Sequence, residues 1–292
     1  MKTLERFPTT RAEATCWGMN AAMTPANMVT LVSEADASAL ERLRARARAA
    51  GDPVPSFTAL VVKAAALTMQ RNPQANRAIL GLPLRRRLYQ FGNVDISVAI
   101  EKALPGLPGQ AFAAPVRDTP SKSAAQIGAE LQALSRCDES TDARYATWMR
   151  ILRRVPRPFS LWLINLPYWV PSLWVEHRGC AAWVNAPSKS GADLVMTTWP
   201  WPISFSFGVV KKRPVVVDDG VRARATMPLV MVFDRRIMGG GPAGRIFAQF
   251  KAILEDAERE LDDAAPAGER PEAARPGGAR PARAAPTEPI EA

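Results

Sequence analysis

The chain has 292 residues, of which 47% are hydrophobic, and a formal net charge of +10; that is enough length for one large domain or two small ones, and enough apolar matter for a substantial core. Three scattered cysteines, no CxxC pair and a single histidine, His177, argue against a zinc site of the usual Cys/His kind and fit a reducing cytoplasm. The basic clusters at 42–48, 85–87, 150–157 and 211–213 read as solvated surface, and with no zinc finger, RNP-type aromatic motif or helix-turn-helix spacing beside them they argue against nucleic acid as a partner.

Residues 1–27 contain no apolar core of the length a secretory signal needs and read as an N-terminal extension. The run NMVTLVSEAD predicts the first strand, followed by a helix with Asp36 as N-cap, Leu40 and Leu43 as its apolar stripe, and Gly51 and Pro53 as its stop. On that helix Arg42, Arg44, Arg46 and Arg48 spread around the cylinder, because successive residues turn by about 100°, so they cannot form one anion cradle. The next segment, SFTALVVKAAALTMQRNP, predicts a buried helix capped by Ser56 and ended by Pro73. In NVDISVAIE the alternation of Val94, Ile96, Val98 and Ile100 predicts a half-buried strand. QAFAAPVRDT predicts another strand, and Ser121 or Ser123 caps the helix SAAQIGAELQALSR.

The texture changes over 144–178. Seven of the eight tryptophans lie between Trp148 and Trp201, and PFSLWLINLPYWVPSLWV runs eighteen residues without a charge, the lower limit for spanning a bilayer. Three prolines inside it argue against a transmembrane helix. With Arg153 and Arg154 beside it and Trp162, Trp169 and Trp174 within it, the segment reads either as a peripheral membrane contact or as a buried oligomer contact or lid of an apolar acyl tunnel. Strand-like runs return at ISFSFGVVKKRPVVVDDGV, where DDG marks a turn, and at ATMPLVMVFD, which leads into DRRIMGGG and a last helix ending near Glu260. Residues 262–292 are almost free of large apolar side chains and predict a disordered tail. Strands and helices mixed without regular βαβ alternation place residues 28–261 in the α+β class, helices over a mixed sheet.

In this order, SFTALVVKAAALTMQRNPQAN, NVDISVAIE, PVRDTPSKSAAQIGAEL, VVKKRPVVVDDG and LVMVFDRRIMGGGPAGRIFAQF resemble the catalytic domain of the 2-oxoacid dehydrogenase dihydrolipoamide acyltransferases, over about Met28 to Glu260. The resemblance implies a chloramphenicol acetyltransferase-like fold and a homotrimer whose active sites lie between subunits, with coenzyme A or an acyl thioester as ligand. It also implies the signature Asp-His-Arg-x-x-Asp-Gly, whose histidine takes a thiol proton so that the thiolate can attack the acyl thioester. A hydroxyl from a Ser/Thr-Asn-x-Gly segment stabilises the resulting oxyanion.

In this chain Asp234 and Arg236 match that signature, but Arg235 stands at the histidine and Gly239 at the second aspartate, followed by Gly240. A guanidinium keeps its proton at physiological pH and cannot be the base. The nearest counterpart of the oxyanion segment is WVNAPSKSG, with Asn185 and Gly191 but no clear hydroxyl. His177 is the one alternative base. The expectation is thus an acyltransferase-like chain with divergent or absent activity, or a non-catalytic acyl- or coenzyme A-binding or assembly protein. With about 27 residues ahead of the first strand, no covalent lipoyl arm is expected, and no metal. At the motif itself, the expected structural arrangement is an Asp234–Arg236 ion pair shaping the turn, with the glycines permitting tight backbone and close helix packing.

Overall fold

The computed structural model describes residues 27–262 apart from 83, 105–106, 187–190 and 198–199. The predicted N-terminal extension lies outside the described residues except for Asn27, and the predicted disordered tail except for Asp262.

Strand β1 (Met28–Asp36) is followed by helices α1 (Ser38–Ala50) and α2 (Phe57–Arg71). Gly51 ends α1 in the left-handed region, φ 76°, where its N–H turns back to the last carbonyls. Asp36 is not the N-cap: it is the last strand residue, Ala37 occupies the cap, and the Asp36 carboxylate instead accepts from the Ser38 N–H at 2.8 Å. Ser56 caps α2 as predicted, accepting from the Ala59 N–H at 3.1 Å. The buried face of α2 is nearly the whole helix, and Lys63 is accommodated inside it by donating to the carbonyls of Pro120 and Lys122.

A two-stranded sheet, β2 (Arg77–Leu80) with β3 (Arg87–Gln90), precedes β4 (Ile96–Leu104), β5 (Leu107–Val116) and α3 (Ala124–Arg136). Ser123 caps α3, and its capping box is completed by Gln126 reaching back to the Ser123 N–H. Three helices then occupy the aromatic segment: α4 (Ala143–Arg154), α5 (Arg157–Trp169) and α6 (Pro171–Arg178). Pro158 and Pro171 fall in the first turns of α5 and α6, where a missing N–H costs nothing. The rest is β6 (Ala182–Asn185), β7 (Ile203–Phe207), β8 (Lys211–Val217), β9 (Gly220–Asp234), α7 (Gly240–Glu255) and α8 (Ala257–Glu260).

The main sheet runs β1-β9-β7-β6-β4-β5, with β8 also pairing β9. β6 is parallel to both β4 and β7, and the other pairings are antiparallel. Leu40, Leu60, Val61, Ile127, Ile246 and Phe250 from the helices meet Ile96, Val98, Val184, Phe205, Met231 and Phe233 from one face of the sheet in the larger core. Trp183 points to the other face and joins Trp174 and Trp201 beneath β2 and α5. Phe112 packs with Tyr145 and Met149 of α4 in a third cluster.

Alternation predicted strands at both β4 and β7, with β4 half-buried, and at β4 the structure differs. Ser97, Ser204 and Ser206 are buried as completely as their apolar neighbours, because the second face of the sheet is also covered. The seryl hydroxyls are satisfied locally, Ser97 by the Arg178 carbonyl at 2.7 Å and Ser204 by the Thr197 carbonyl at 3.1 Å.

Candidate functional site

The pairing register brings several separate segments to one end of the sheet. Met28 pairs with Asp234, Phe233 with Ile203, and Ile203 with Ala182, while Ile96 lies beside Ala182 on the other side. Neighbouring strands lie about 4.8 Å apart, so Asp234 and the α6–β6 joint are separated by roughly 10 Å across two strands. The Asp234 N–H donates to the Pro202 carbonyl at 2.8 Å and the Arg235 N–H to that of Asn27 at 3.0 Å.

At this end Asp234 is buried and forms the predicted ion pair with Arg236. The Arg236 backbone N–H donates to Oδ1 at 2.9 Å, Nε reaches both carboxylate oxygens at 3.0 and 3.1 Å, and a terminal nitrogen reaches Oδ2 at 2.6 Å. That hydrogen bonding raises the Arg236 pKa above its ordinary value, against the opposing effect of burial. Arg235 is exposed, and its guanidinium has no hydrogen bond or ion pair among the described residues.

The glycines do not do what was expected of them. Gly239 is the N-cap of α7 with φ −78° and ψ 171°, and an added Cβ at Gly239 or Gly240 would meet open space. Neither close packing nor a left-handed backbone requires glycine there. They leave the first turn of α7 without a side-chain cap.

Behind this turn stands the aromatic segment. Tyr168 of α5 donates to the Pro200 carbonyl at 3.0 Å and lies within electrostatic reach of Arg236. Its ring is 5.0 Å from the guanidinium carbon of buried Arg178, which also sits 5.3 Å from the Trp174 ring and 5.6 Å from that of Trp201. Burial pulls the Arg178 pKa down, opposed by the Tyr168 hydroxyl, and burial pushes the Tyr168 hydroxyl up. Trp201 stacks on Trp183 at 5.2 Å and donates its indole N–H to the Arg178 carbonyl at 2.9 Å.

Trp174 is wholly enclosed in this cluster, which corrects its reading as a surface contact. Trp162 is exposed and packs on half-buried Trp169 at 5.5 Å; Arg153 pairs with Glu139 at 2.6 Å, and Arg154 is exposed. Among the described residues no helix is long and apolar enough to cross a membrane, and no three His, Cys, Asp or Glu side chains converge as a metal-binding group.

The other predicted site residues lie elsewhere. Asn185 pairs with Ser206, which pairs with Val230, so it sits level with a residue roughly 13 Å along the strand from Asp234. The residue before it, where a Ser/Thr-Asn pattern has its hydroxyl, is Val184, buried in the larger core. Gly191 is exposed with φ 74°. His177 is half-buried at the end of α6 and lines a cavity of about 310 Å3, and no contact joins it to Arg235. Missed by sequence reasoning were Tyr168 and Arg178, whose only signal was the arginine at the end of the aromatic run.

The catalytic-domain model of the 2-oxoacid dehydrogenases acyltransferase family matches residues 3–144 and 205–261. The chain belongs to that family. No curated protein matches it. Among solved structures it is similar to the dihydrolipoamide acetyltransferase of Azotobacter vinelandii, at 18% identity and a TM-score of 0.65 over 89% of this chain and 95% of the other. That structure addresses the role of a serine, a histidine and an asparagine in its own catalytic mechanism. A probable dihydrolipoamide acetyltransferase from Listeria monocytogenes is similar at 19% identity and a TM-score of 0.60, over 91% and 98%. A truncated catalytic core of the 2-oxoacid dehydrogenase multienzyme complex from Thermoplasma acidophilum is similar at 16% and 0.56, over 88% and 99%. At such identities the likeness establishes the fold, which is the chloramphenicol acetyltransferase-like α+β arrangement expected for this family member.

Proposed function

We propose that this acyltransferase-family chain binds an acyl group or coenzyme A without running the thiol-base chemistry of its relatives. The observation that carries the reading is Arg235: the side chain at the position of the base is a permanently protonated guanidinium, exposed and without a partner among the described residues. Buried Val184 supports it, since no hydroxyl precedes Asn185 to stabilise an oxyanion. The free guanidinium suits an anion instead, and a coenzyme A phosphate is the group it would meet in a bidentate way.

The reading includes a homotrimer. Asn185 and the Arg235 turn stand well apart in one chain, so any site that uses both needs a second copy. The test has two parts, titration of the protein with coenzyme A and measurement of thiol release from acetyl-coenzyme A with dihydrolipoamide present. Saturable binding with no turnover above buffer is expected; saturable turnover abolished by Asp234→Asn would overturn the reading.

A second reading, acyl transfer from a rearranged site with His177 as base, is favoured by the imidazole lining a cavity. It requires turnover that disappears in His177→Gln. Peripheral membrane contact through α5 is supported by exposed Phe159 and Trp162, and the absence of co-sedimentation with anionic liposomes at low salt would remove it.

A further inference from the structure

Helices α4, α5 and α6 and strand β5 line the half-open cavity of about 310 Å3 that His177 borders, a size at the lower end of the range of about 300–1,000 Å3 for small-molecule pockets. Its walls are apolar, formed by Phe112, Trp148, Ile151, Leu163, Leu166 and Leu173. Among the described residues, charge enters the lining as Arg144, Arg178 and His177, and no acidic residue is among them. Arg144 is engaged by Asp142 at 2.9 Å. Arg178 and His177 are adjacent at the end of α6, the first buried among rings and the second with no hydrogen bond or ion pair among the described residues.

An apolar chamber with a guanidinium and an imidazole side by side on its lining is complementary to an apolar tail that carries a carboxylate. We propose that this cavity binds a medium-chain carboxylate, with the tail between α4 and α5 and the carboxylate at Arg178 and His177. The proposal concerns a chamber walled mostly by α4, α5 and α6, and it does not depend on whether acyl transfer occurs at the Arg235 turn.

Calorimetric titration of the full chain with octanoate and decanoate, below their micellar concentrations, tests it. One-to-one saturable binding is expected, with each added methylene tightening the affinity about fourfold. Decanol should bind at least about tenfold more weakly and decyltrimethylammonium without saturation, since neither presents an anion to a charge-assisted hydrogen bond. Ile151→Trp should fill the chamber and weaken decanoate binding at least about tenfold while the far-ultraviolet spectrum and cooperative unfolding persist. Should that variant fail to fold, His177→Gln on the half-buried rim should still cost several-fold in decanoate affinity and none in decanol affinity. Absence of saturable decanoate binding overturns the proposal. So does equal affinity for the decyl cation, or undiminished decanoate binding by folded Ile151→Trp. Thiol release measured on the same preparation separates this outcome from that of the Arg235 reading.

Discussion

The carboxylate of Asp234 accepts from Arg236 both through the backbone N–H at 2.9 Å and through the guanidinium, at 2.6 Å at its closest. The two partners differ in access to water, with side-chain exposures of 7% for Asp234 and 39% for Arg236. Arg236→Ala therefore strands a buried carboxylate, at a cost of about 3 kcal/mol. Asp234→Asn keeps an oxygen for the backbone N–H and leaves an arginine that can turn to solvent, at about 1 kcal/mol. Urea unfolding of both variants should place the arginine variant clearly lower; equal losses, or the reverse order, would refute this account of the pair.

The helices α1, α2, α3 and α7 and the succession of strands along the chain were legible because local rules decide them, whereas α4, α5 and α6 in the aromatic segment were not assigned as helices. Ser56 and Ser123 sit as caps where their sequences predict, and the alternating apolar residues of β4 are buried, Ile96 and Val98 in the larger core and Ile100 in the third cluster. The opposite face was not legible, because whether Ser97 or Ser204 meets water depends on segments many residues away. The β2–β3 hairpin escaped for a related reason: its strands have four residues each, and those of β3 are all exposed, so no hydrophobic period marks them. At the site the ion pair was readable, since its members are two residues apart. The approach of Tyr168 to that turn was not, because it depends on how distant segments pack against the sheet.

Restoring the two altered signature residues separates their structural and chemical effects. Arg235→His removes an exposed side chain with no partner among the described residues and should change stability by less than about 0.5 kcal/mol. Gly239→Asp introduces an N-cap into open space at a position already in extended backbone. It should stabilise α7 by a few tenths of a kcal/mol, about 0.3. The double variant should still release no thiol above buffer, because Val184 remains where a hydroxyl is needed. Turnover in that variant would show that the base alone was limiting.

Gly179 is the joint that aims α6 at the sheet. Its φ is 68° with ψ −128°, and an added Cβ would come within 3.0 Å of the Cβ atoms of both Asp95 and Pro115. Asp95 has no room to yield, since it accepts from Arg117 at 2.6 Å and from the Asp118 N–H at 2.9 Å, while Arg117 also holds the Val175 carbonyl at 2.7 Å. Gly179→Ala should therefore cost about 2–3 kcal/mol, the backbone strain and the contacts acting together. The near-ultraviolet signal of the Trp174, Trp183 and Trp201 cluster should change with it. An unaltered melting temperature and spectrum would mean that the joint is not under that constraint.

Cys180 follows this joint and is buried, its thiol donating to the Asn93 carbonyl at 3.2 Å. Burial pushes the thiol up to about 11 from its ordinary value of 9.0. Between those values the unfolded chain loses the proton while the folded chain keeps it, so the stabilising contribution is complete below pH 9.0 and is lost as pH rises through about 11. A two-unit difference corresponds to about 2–3 kcal/mol. Other groups titrate in the same window, so the measurement is the difference in urea midpoint between the wild-type chain and Cys180→Ala from pH 8 to 11. The wild type should lose more stability across that range than the variant, and at pH 8 iodoacetamide should label half-buried Cys137 well before Cys180. Parallel pH profiles for the two chains, or early labelling of Cys180, would place that thiol in water and contradict the packing of α6 against the sheet.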